Sequence, residues 1–406
     1  MSSTPVDREN EEGGLPPGAG PLIVIGSLDV GGAEFHVTRI APRLKALGWS
    51  PAVCCLNRRG ALAASLEAEG IEVIDPPLER LMSSPFALVK GFAMTVSGIR
   101  LFGLLLARRP RIAHFFLPQA YLVGGLVSVL ARVPVRVMSR RSLNVYKARH
   151  EFAWRLELRL HRHMTALLGN SRAVVRQLVE EEGCDPARTG LIYNGIDIAG
   201  YGDRVLGAAL RRELGLGGDA FVMLIVANLI AYKGHMDLLE GLAAIRERLP
   251  GGWALLCAGR DDGCGDELRR RVSGLGLDGH VHFLGQREDV AALYAAADIG
   301  LLCSHQEGFS NAIIEGMASS IPMIVTDVGG NAEAIRHGDT GIVVPPSDPR
   351  ALGSAILGLV NSSPSQRREM GARARARAQE LFSLEACVAA YDRLYRSLLS
   401  RGPGSR

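Results

Sequence analysis

The chain has 406 residues, 47% of them hydrophobic and only 5% aromatic, which is too long for one ordinary core and suits two domains. That composition excludes a disordered chain, and a net charge of +4 is too mild to argue for a nucleic-acid partner. Seven cysteines, an odd number without zinc spacing, point to reduced thiols in the cytoplasm.

Residues 1–20, "MSSTPVDRENEEGGLPPGAG", lack the basic-then-apolar order of a signal peptide and read as a disordered tail. "PLIVIGS" (21–27) is a short apolar run and predicts a strand. A glycine loop, "SLDVGGAE" (27–34), leads into a helical pattern that Gly48 closes. "PAVCCLN" (51–57), "IEVIDPP" (71–77), "RIAHFF" (111–116), "VRVMSR" (135–140) and the run 167–171 read as further strands. The apolar stretch 115–138 has the length of a membrane span, but Pro118, Arg132, Pro134 and Arg136 interrupt it. It reads as a buried helix followed by a buried strand. A second series runs through 221–229, 253–259, 281–285, 299–304, 322–327 and 341–346, again with helical runs between.

Continuous apolar strands alternating with helices predict parallel sheets covered on both faces. The expected architecture is α/β: two Rossmann-like, doubly wound sheets facing across a cleft. The N-terminal unit would span 21–195 and a polar, glycine-rich linker and hinge 196–219. The C-terminal unit would span 220–383, and a last helix, 384–400, would cross back to the first unit. In open α/β sheets ligands bind beyond the carboxyl ends of the strands, so the loops there are the candidates.

Three such loops carry chemistry. Gly31 and Gly32 would let backbone approach a ligand beside a helix start. The loop is neither G-x-G-x-x-G nor a P-loop, which speaks against a nicotinamide dehydrogenase and an ATPase. Lys233, in "ANLIAYKGH" (227–235), would neutralise phosphate at the cleft mouth. "EGFSNAIIE" (307–315) places Glu307 before a helix capped by Asn311, and Glu315 within that helix. The backbone amides of Phe309, Ser310 and Asn311 would form an anion site flanked by two carboxylates. Carboxylates suit vicinal hydroxyls, so an anion between two polyols, a nucleoside diphosphate sugar, is the ligand that fits.

These pieces, with "GGAE", "RRSLNVY", "GNSRAV", "IYNGID", "FLGQREDV", "SSIPMIVTDVGGNAE" and "TGIVVPPSD", resemble the family 4 glycosyltransferases, retaining enzymes of the GT-B fold. The resemblance runs from about residue 22 to 400. It implies that Glu307 contacts the donor sugar and Glu315 the ribose. Lys233 would grip the diphosphate, and Gly32 would admit it. Ser320 stands where the family usually has glycine. Asn228 stands where it often has a second diphosphate cation, and would be a donor-binding position. Arg140 and Arg141 stand where it often has a histidine, so Arg141 would supply positive charge but no base. No metal or other cofactor is implied; Asp261 and Asp262 read as turn residues. The acceptor would be a glycan or a lipid-linked molecule at the cytoplasmic membrane. Two segments of the acceptor-side unit motivate this: the basic, Trp-bearing 139–163 and the apolar 85–109. A GT-B nucleotide-sugar binder without transferase activity, epimerase-like or regulatory, is the alternative.

Overall fold

The computed structural model describes residues 20–144 and 151–401. The expected tail, apart from Gly20, and residues 145–150 of the basic segment lie outside the described residues. The first unit runs β1 (Pro21–Ser27), α1 (Gly32–Ala46), β2 (Ala52–Arg58), α2 (Ala63–Ala68), β3 (Glu72–Ile74), α3 (Glu79–Met82), α4 (Ala87–Arg108), β4 (Ile112–Phe116), α5 (Pro118–Leu130), β5 (Val135–Arg140), α6 (Glu151–His161), β6 (Ala166–Gly169), α7 (Arg172–Arg176) and β7 (Thr189–Leu191). Next come α8 (Arg204–Glu213), β8 (Val222–Val226), α9 (His235–Ile245), β9 (Ala254–Ala258), α10 (Gly265–Gly274), β10 (Val281–Gly285), α11 (Val290–Ala296), β11 (Ile299–Leu302), α12 (Asn311–Ala318), β12 (Met323–Thr326), α13 (Asn331–Ala334), β13 (Gly341–Val344), α14 (Pro349–Asn361), α15 (Pro364–Leu381) and α16 (Leu384–Ser400).

The strands form two parallel sheets, in the orders β3-β2-β1-β4-β5-β6-β7 and β10-β9-β8-β11-β12-β13. This is the expected architecture of two Rossmann-like sheets. Every residue of β4 and β9 is buried, which is why these strands read as unbroken apolar runs instead of alternating ones. The stretch 115–138 supplies the end of β4, the helix α5 and the start of β5.

Two features depart from the reading by pattern. Sequence periodicity misses β7, a three-residue edge strand paired with β6. The segment 196–219, read as a polar linker, contains a helix: α8 occupies its middle, capped by Asp203, whose side chain accepts from the Val205 amide, and packs on α11. The last helix, α16, places Leu384, Cys387, Val388, Tyr391, Tyr395 and Leu398 in the core of the first sheet. The crossing point is held by backbone bonds, Ile196 N to Phe382 O (3.0 Å) and Leu384 N to Ile196 O (2.8 Å). All seven cysteines are free thiols, and six are buried.

Helix α4 is long and apolar enough to cross a membrane by length and composition. Its inner residues Ala93, Ser97, Leu101 and Leu105 pack into the first unit. Its outer stripe is uncovered: Leu88 is 90% exposed, Phe92 60% and Ile99 66%.

Candidate functional site

The loops after β8, β11 and β12 meet at the carboxyl end of the second sheet. After β8 the chain makes a short turn, Ala231–Lys233, and enters α9 through Gly234. Gly234 has φ +71°, and a Cβ there would lie 2.0 Å from the Cys303 carbonyl oxygen. Only glycine allows that approach. It brings the Lys233 Nζ to 2.5 Å from the Glu307 Oε1, and the Ser304 hydroxyl donates to the same oxygen at 2.7 Å. The His305 amide donates to Tyr232 O at 2.7 Å, and the His305 ring meets Asp237 at 2.6 Å. Lys233 and Glu307, 74 residues apart in sequence, are therefore one ion pair.

Helix α12 follows, with Ser310 as its N-cap and no side-chain cap bond. The expected cap, Asn311, is instead the first helical residue. Its side-chain oxygen accepts from Asn194 Nδ2 at 2.7 Å and so is turned away from the helix end. The first amides of a helix have no partner inside it, so the turn at Phe309, Ser310 and Asn311 presents donors and the positive end of the helix dipole. Phe309 itself is buried, with its ring against Tyr193 and Phe382. Further along α12, the Glu315 carboxyl is pushed up by burial, while Arg39 of α1 and the Tyr201 hydroxyl draw it back down.

The first unit closes over this turn. Arg141 Nη2 donates to Asn194 Oδ1 at 2.6 Å, and Asn194 Nδ2 bonds both Asn311 and, at 3.3 Å, the Phe309 carbonyl. A Cβ on Gly308 would sit 2.6 Å from Arg141 O, so this loop and the loop after β5 touch through backbone. Burial holds the Arg141 guanidinium below its usual range, and Glu34 at the start of α1 opposes that shift. Glu333 of α13 accepts from the Arg172 and Ala173 amides, each at 2.8 Å, and from the Tyr193 hydroxyl at 3.2 Å.

Most of the expected residues are thus gathered: Glu307, Lys233 and Arg141, the turn 309–311, and Glu315 opposite α1. Three others behave differently. Gly31 has φ −167°, an extended conformation open to any residue, and a Cβ there would meet only the flexible Glu34 side chain. Gly32 has nothing within 4 Å of its would-be Cβ, so the backbone does not demand glycine at either position; the pair leaves open space beside α1. Asn228 is tied to the loop after β9, through Asp262 (2.9 Å) and the Arg260 amide (3.3 Å), and shows no bond to Lys233 or Glu307. Arg140 leaves the site altogether, since it is buried in ion pairs with Glu157 and Glu182. Asp261 accepts from the Gly263 and Gly265 amides, the pattern of a turn residue.

Sequence reasoning missed Asn194, Glu333, Gly308 and Gly329, because their roles are contacts across long separations. A Cβ on Gly329, at φ +53°, would lie 1.8 Å from Glu307 O. Two buried histidines of the first unit, His114 and His36, are unsuited to base catalysis. His114 is pushed down to about 3 by burial and then by Arg141, and it sits between Tyr395 and Ser139. His36 is pushed down in the same way. One cluster among the described residues, His161, Glu182 and Cys184, has metal-ligand types. Both His161 nitrogens are already engaged, by Tyr121 and Glu182, and burial pushes the Cys184 thiol up to about 12. Neither group is a ready ligand.

Residues 220–362 match the family model described as "Glycosyl transferases group 1", and residues 30–199 match the one described as "Glycosyltransferase Family 4". A D-inositol 3-phosphate glycosyltransferase of Corynebacterium efficiens is 31% identical over 301 residues, 70% of this chain and 70% of its own length. Another, of Geodermatophilus obscurus, is 33% identical over 237 residues, 55% of this chain and 50% of its own length. The chain spans about half the length of several curated relatives that it matches, the Geodermatophilus one among them. The crystal structure of Anabaena Alr3699/HepE in complex with UDP overlays with a TM-score of 0.78 at 24% identity, covering 93% of this chain and 100% of that one. At that identity the likeness speaks to the fold.

Proposed function

The chain belongs to the family 4 glycosyltransferases, and on that premise we propose that it moves a sugar from a nucleoside diphosphate sugar to an acceptor hydroxyl, with retention at the anomeric carbon and without a metal ion. The observation that carries this reading is the convergence of Lys233, Glu307 and the open end of α12, with Glu315 one turn further in. A diphosphate seated on the α12 amides meets the Lys233 ammonium. Glu307, through the oxygen that Lys233 and Ser304 leave unused, and Glu315, through the one that Tyr201 leaves, then lie on either side to accept hydroxyls of the donor sugar and the ribose. The Anabaena structures that share the fold were solved with UDP and with UDP-glucose, which accords with such a donor.

As the bond to the leaving diphosphate lengthens, charge builds on its oxygen. Lys233, the amides at 309–311 and Arg141 are preorganised to stabilise it, and this electrostatic effect is the main one available. No side chain here acts as an enzymic nucleophile. The acceptor hydroxyl attacks on the face that the diphosphate leaves, and a diphosphate oxygen takes its proton. Contact between the two units, through Asn194 and Glu333, excludes water that would otherwise hydrolyse the donor.

The acceptor is read as a sugar or polyol hydroxyl presented at the inner face of an anionic membrane, as in envelope glycan synthesis. Support comes from the surface of the first unit. Leu88, Phe92, Ile99 and Leu106 of α4, Leu126 and Leu130 of α5, and Phe152 of α6 are exposed, and these helices pack side by side. Residues 81–163 contain fourteen Lys and Arg but only two acids, against +4 for the whole chain. An uncovered apolar face within a cationic stretch suits lipid headgroups. Arg108, Arg140 and Arg155 do not take part, because they pair with Glu72, Glu157 and Glu151, and Arg141 belongs to the donor site.

Turnover of a panel of UDP-, GDP- and ADP-sugars tests the transferase reading; binding without turnover of any donor would favour the non-transferase alternative. Sedimentation with anionic and neutral vesicles tests the surface. Wild type should prefer anionic vesicles at low salt, and Leu88→Glu with Phe92→Glu should abolish that preference. Binding indifferent to lipid charge would leave a soluble acceptor, in keeping with relatives named for inositol 3-phosphate.

A further inference from the structure

A cavity of about 550 Å³ opens in the second unit at the end away from the cleft. Its walls are α8, the loops that precede β11 and β12, and α15. The strands are parallel and four residues long there, so this floor lies about 13 Å of strand from the loop that carries Glu307. Five arginines line the cavity, Arg204, Arg211, Arg367, Arg368 and Arg375, against one acid, Asp298.

Asp298 is already paired with Arg211 at 2.8 Å. Arg367 directs donors to the carbonyls of Leu359, Val360 and Ser362, which carry no net charge to cancel its own. Arg204 and Arg368 are exposed, and neither has a partner among the described residues. Helices α8 and α15 both begin at the cavity, at Arg204 and Pro364, and add their positive ends. The neighbouring acids are Asp203, which caps α8, and Glu369, beside Arg368; one oxygen of each accepts, from the Val205 amide and the Ser365 hydroxyl, and neither lines the cavity. Uncompensated positive charge in a concavity calls for an anion.

The backbone adds a second observation. Ser320 lines the cavity with φ +60°, in the left-handed region that favours glycine. Non-glycine residues persist there at a cost, and such outliers gather at ligand sites. Here the strained residue lines the same cavity as the arginines.

We propose that this cavity is a second binding site, for a small multiply charged anion of the phosphate class. It lies outside the donor site described above and nothing in the proposed reaction uses it. Occupancy would be felt at the donor site, a consequence that rests on the proposed function. Tyr201 lines the cavity, and its hydroxyl reaches the Glu315 carboxylate. Arg375 bonds the carbonyls of Ile198 and Tyr201, and of Ala318 at the end of α12, so an anion that draws on Arg375 acts on the helix that carries Glu315.

Inorganic pyrophosphate is the probe, titrated into the full chain while Tm is followed. Because pyrophosphate also suits the cleft, the titration is run in wild type and in Lys233→Ala. A saturable Tm rise should persist in Lys233→Ala, and Arg204→Ala with Arg368→Ala in that background should weaken it at least tenfold. Ser320→Gly should raise Tm without ligand yet weaken pyrophosphate severalfold, a pair of opposite changes that a purely structural serine would not give. A Tm rise that vanishes with Lys233→Ala alone, or that survives loss of both arginines, would overturn the site. Neither outcome depends on turnover, so failure here is distinct from failure of the transferase reading.

Discussion

Lys233 and Glu307 are 16% and 12% exposed, and their contact of 2.5 Å serves two purposes that substitution can separate. Lys233→Met keeps the stem and removes the charge. Glu307 then keeps one side-chain donor, the Ser304 hydroxyl. Breaking a fully buried ion pair costs about 3–5 kcal/mol; with this residual exposure, about 1–3 kcal/mol is expected. Adding Glu307→Gln removes the stranded charge, and stability should return to within about 1 kcal/mol of wild type. Turnover should follow a different course. Lys233→Met should lower kcat by about 10²–10³, the usual effect of losing one preorganised donor to a developing oxyanion, with a smaller change in KM. The double variant should recover stability but not kcat. Urea unfolding and single-turnover donor cleavage measure the two arms. If the double variant regained both, the pair would be structural, and the leaving-group role of Lys233 would be wrong.

Glu315→Gln should weaken nucleoside diphosphate binding by about 1–3 kcal/mol, the range for hydrogen bonds to a charged group, measured by calorimetry; unchanged affinity would remove the ribose assignment. The raised Glu315 carboxyl makes its ionised form less favourable in the folded state, so its contribution to stability is present below the unfolded carboxyl's pKa and is lost as pH rises from there through the raised folded one. Glu315→Gln should flatten that part of the stability profile. His235, pushed down to about 4 by burial and then by Lys233, acts oppositely. Its contribution is intact above about pH 6.5 and is lost as pH falls toward 4, an effect of up to about 3 kcal/mol that His235→Gln should remove from the acid limb. Activity should survive EDTA; loss that magnesium or manganese restores would refute the metal-free reading.

The strands and the site were legible in the sequence to different depths. Apolar runs such as "PLIVIGS" and "WALLCAG" announce buried parallel strands because both faces are covered, and their bounds fall within a residue or two of those observed. β7 was invisible because three half-buried edge residues carry no pattern. The loop motifs placed Lys233 and Glu307 at the strand ends and Glu315 in the helix that follows, but pattern does not say which side chains touch. Arg140 and Arg141 are adjacent in sequence and look equivalent. Their opposite fates follow from strand alternation, which turns one toward Glu157 and Glu182 and the other toward Asn194. The cap at Asn311 was misplaced because Asn194, 117 residues away, claims its oxygen.

The seating of α16 on the first sheet has a consequence for the order in which the chain can be built. His36 meets Tyr391 across 355 residues, and Trp49 bonds Asp392 across 343. During synthesis the first unit therefore emerges with one side of its core bare, and it stays so until the second unit has been made. Closing so long a loop is slow, and exposed apolar surface in the interval invites aggregation. The second unit has no such debt to its end, since its clusters are built from residues 196 to 382. On the ribosome it should reach its native packing first, although it is translated last, and the N-terminal unit should wait for a helix more than 300 residues downstream of its own first helix before its folding can finish.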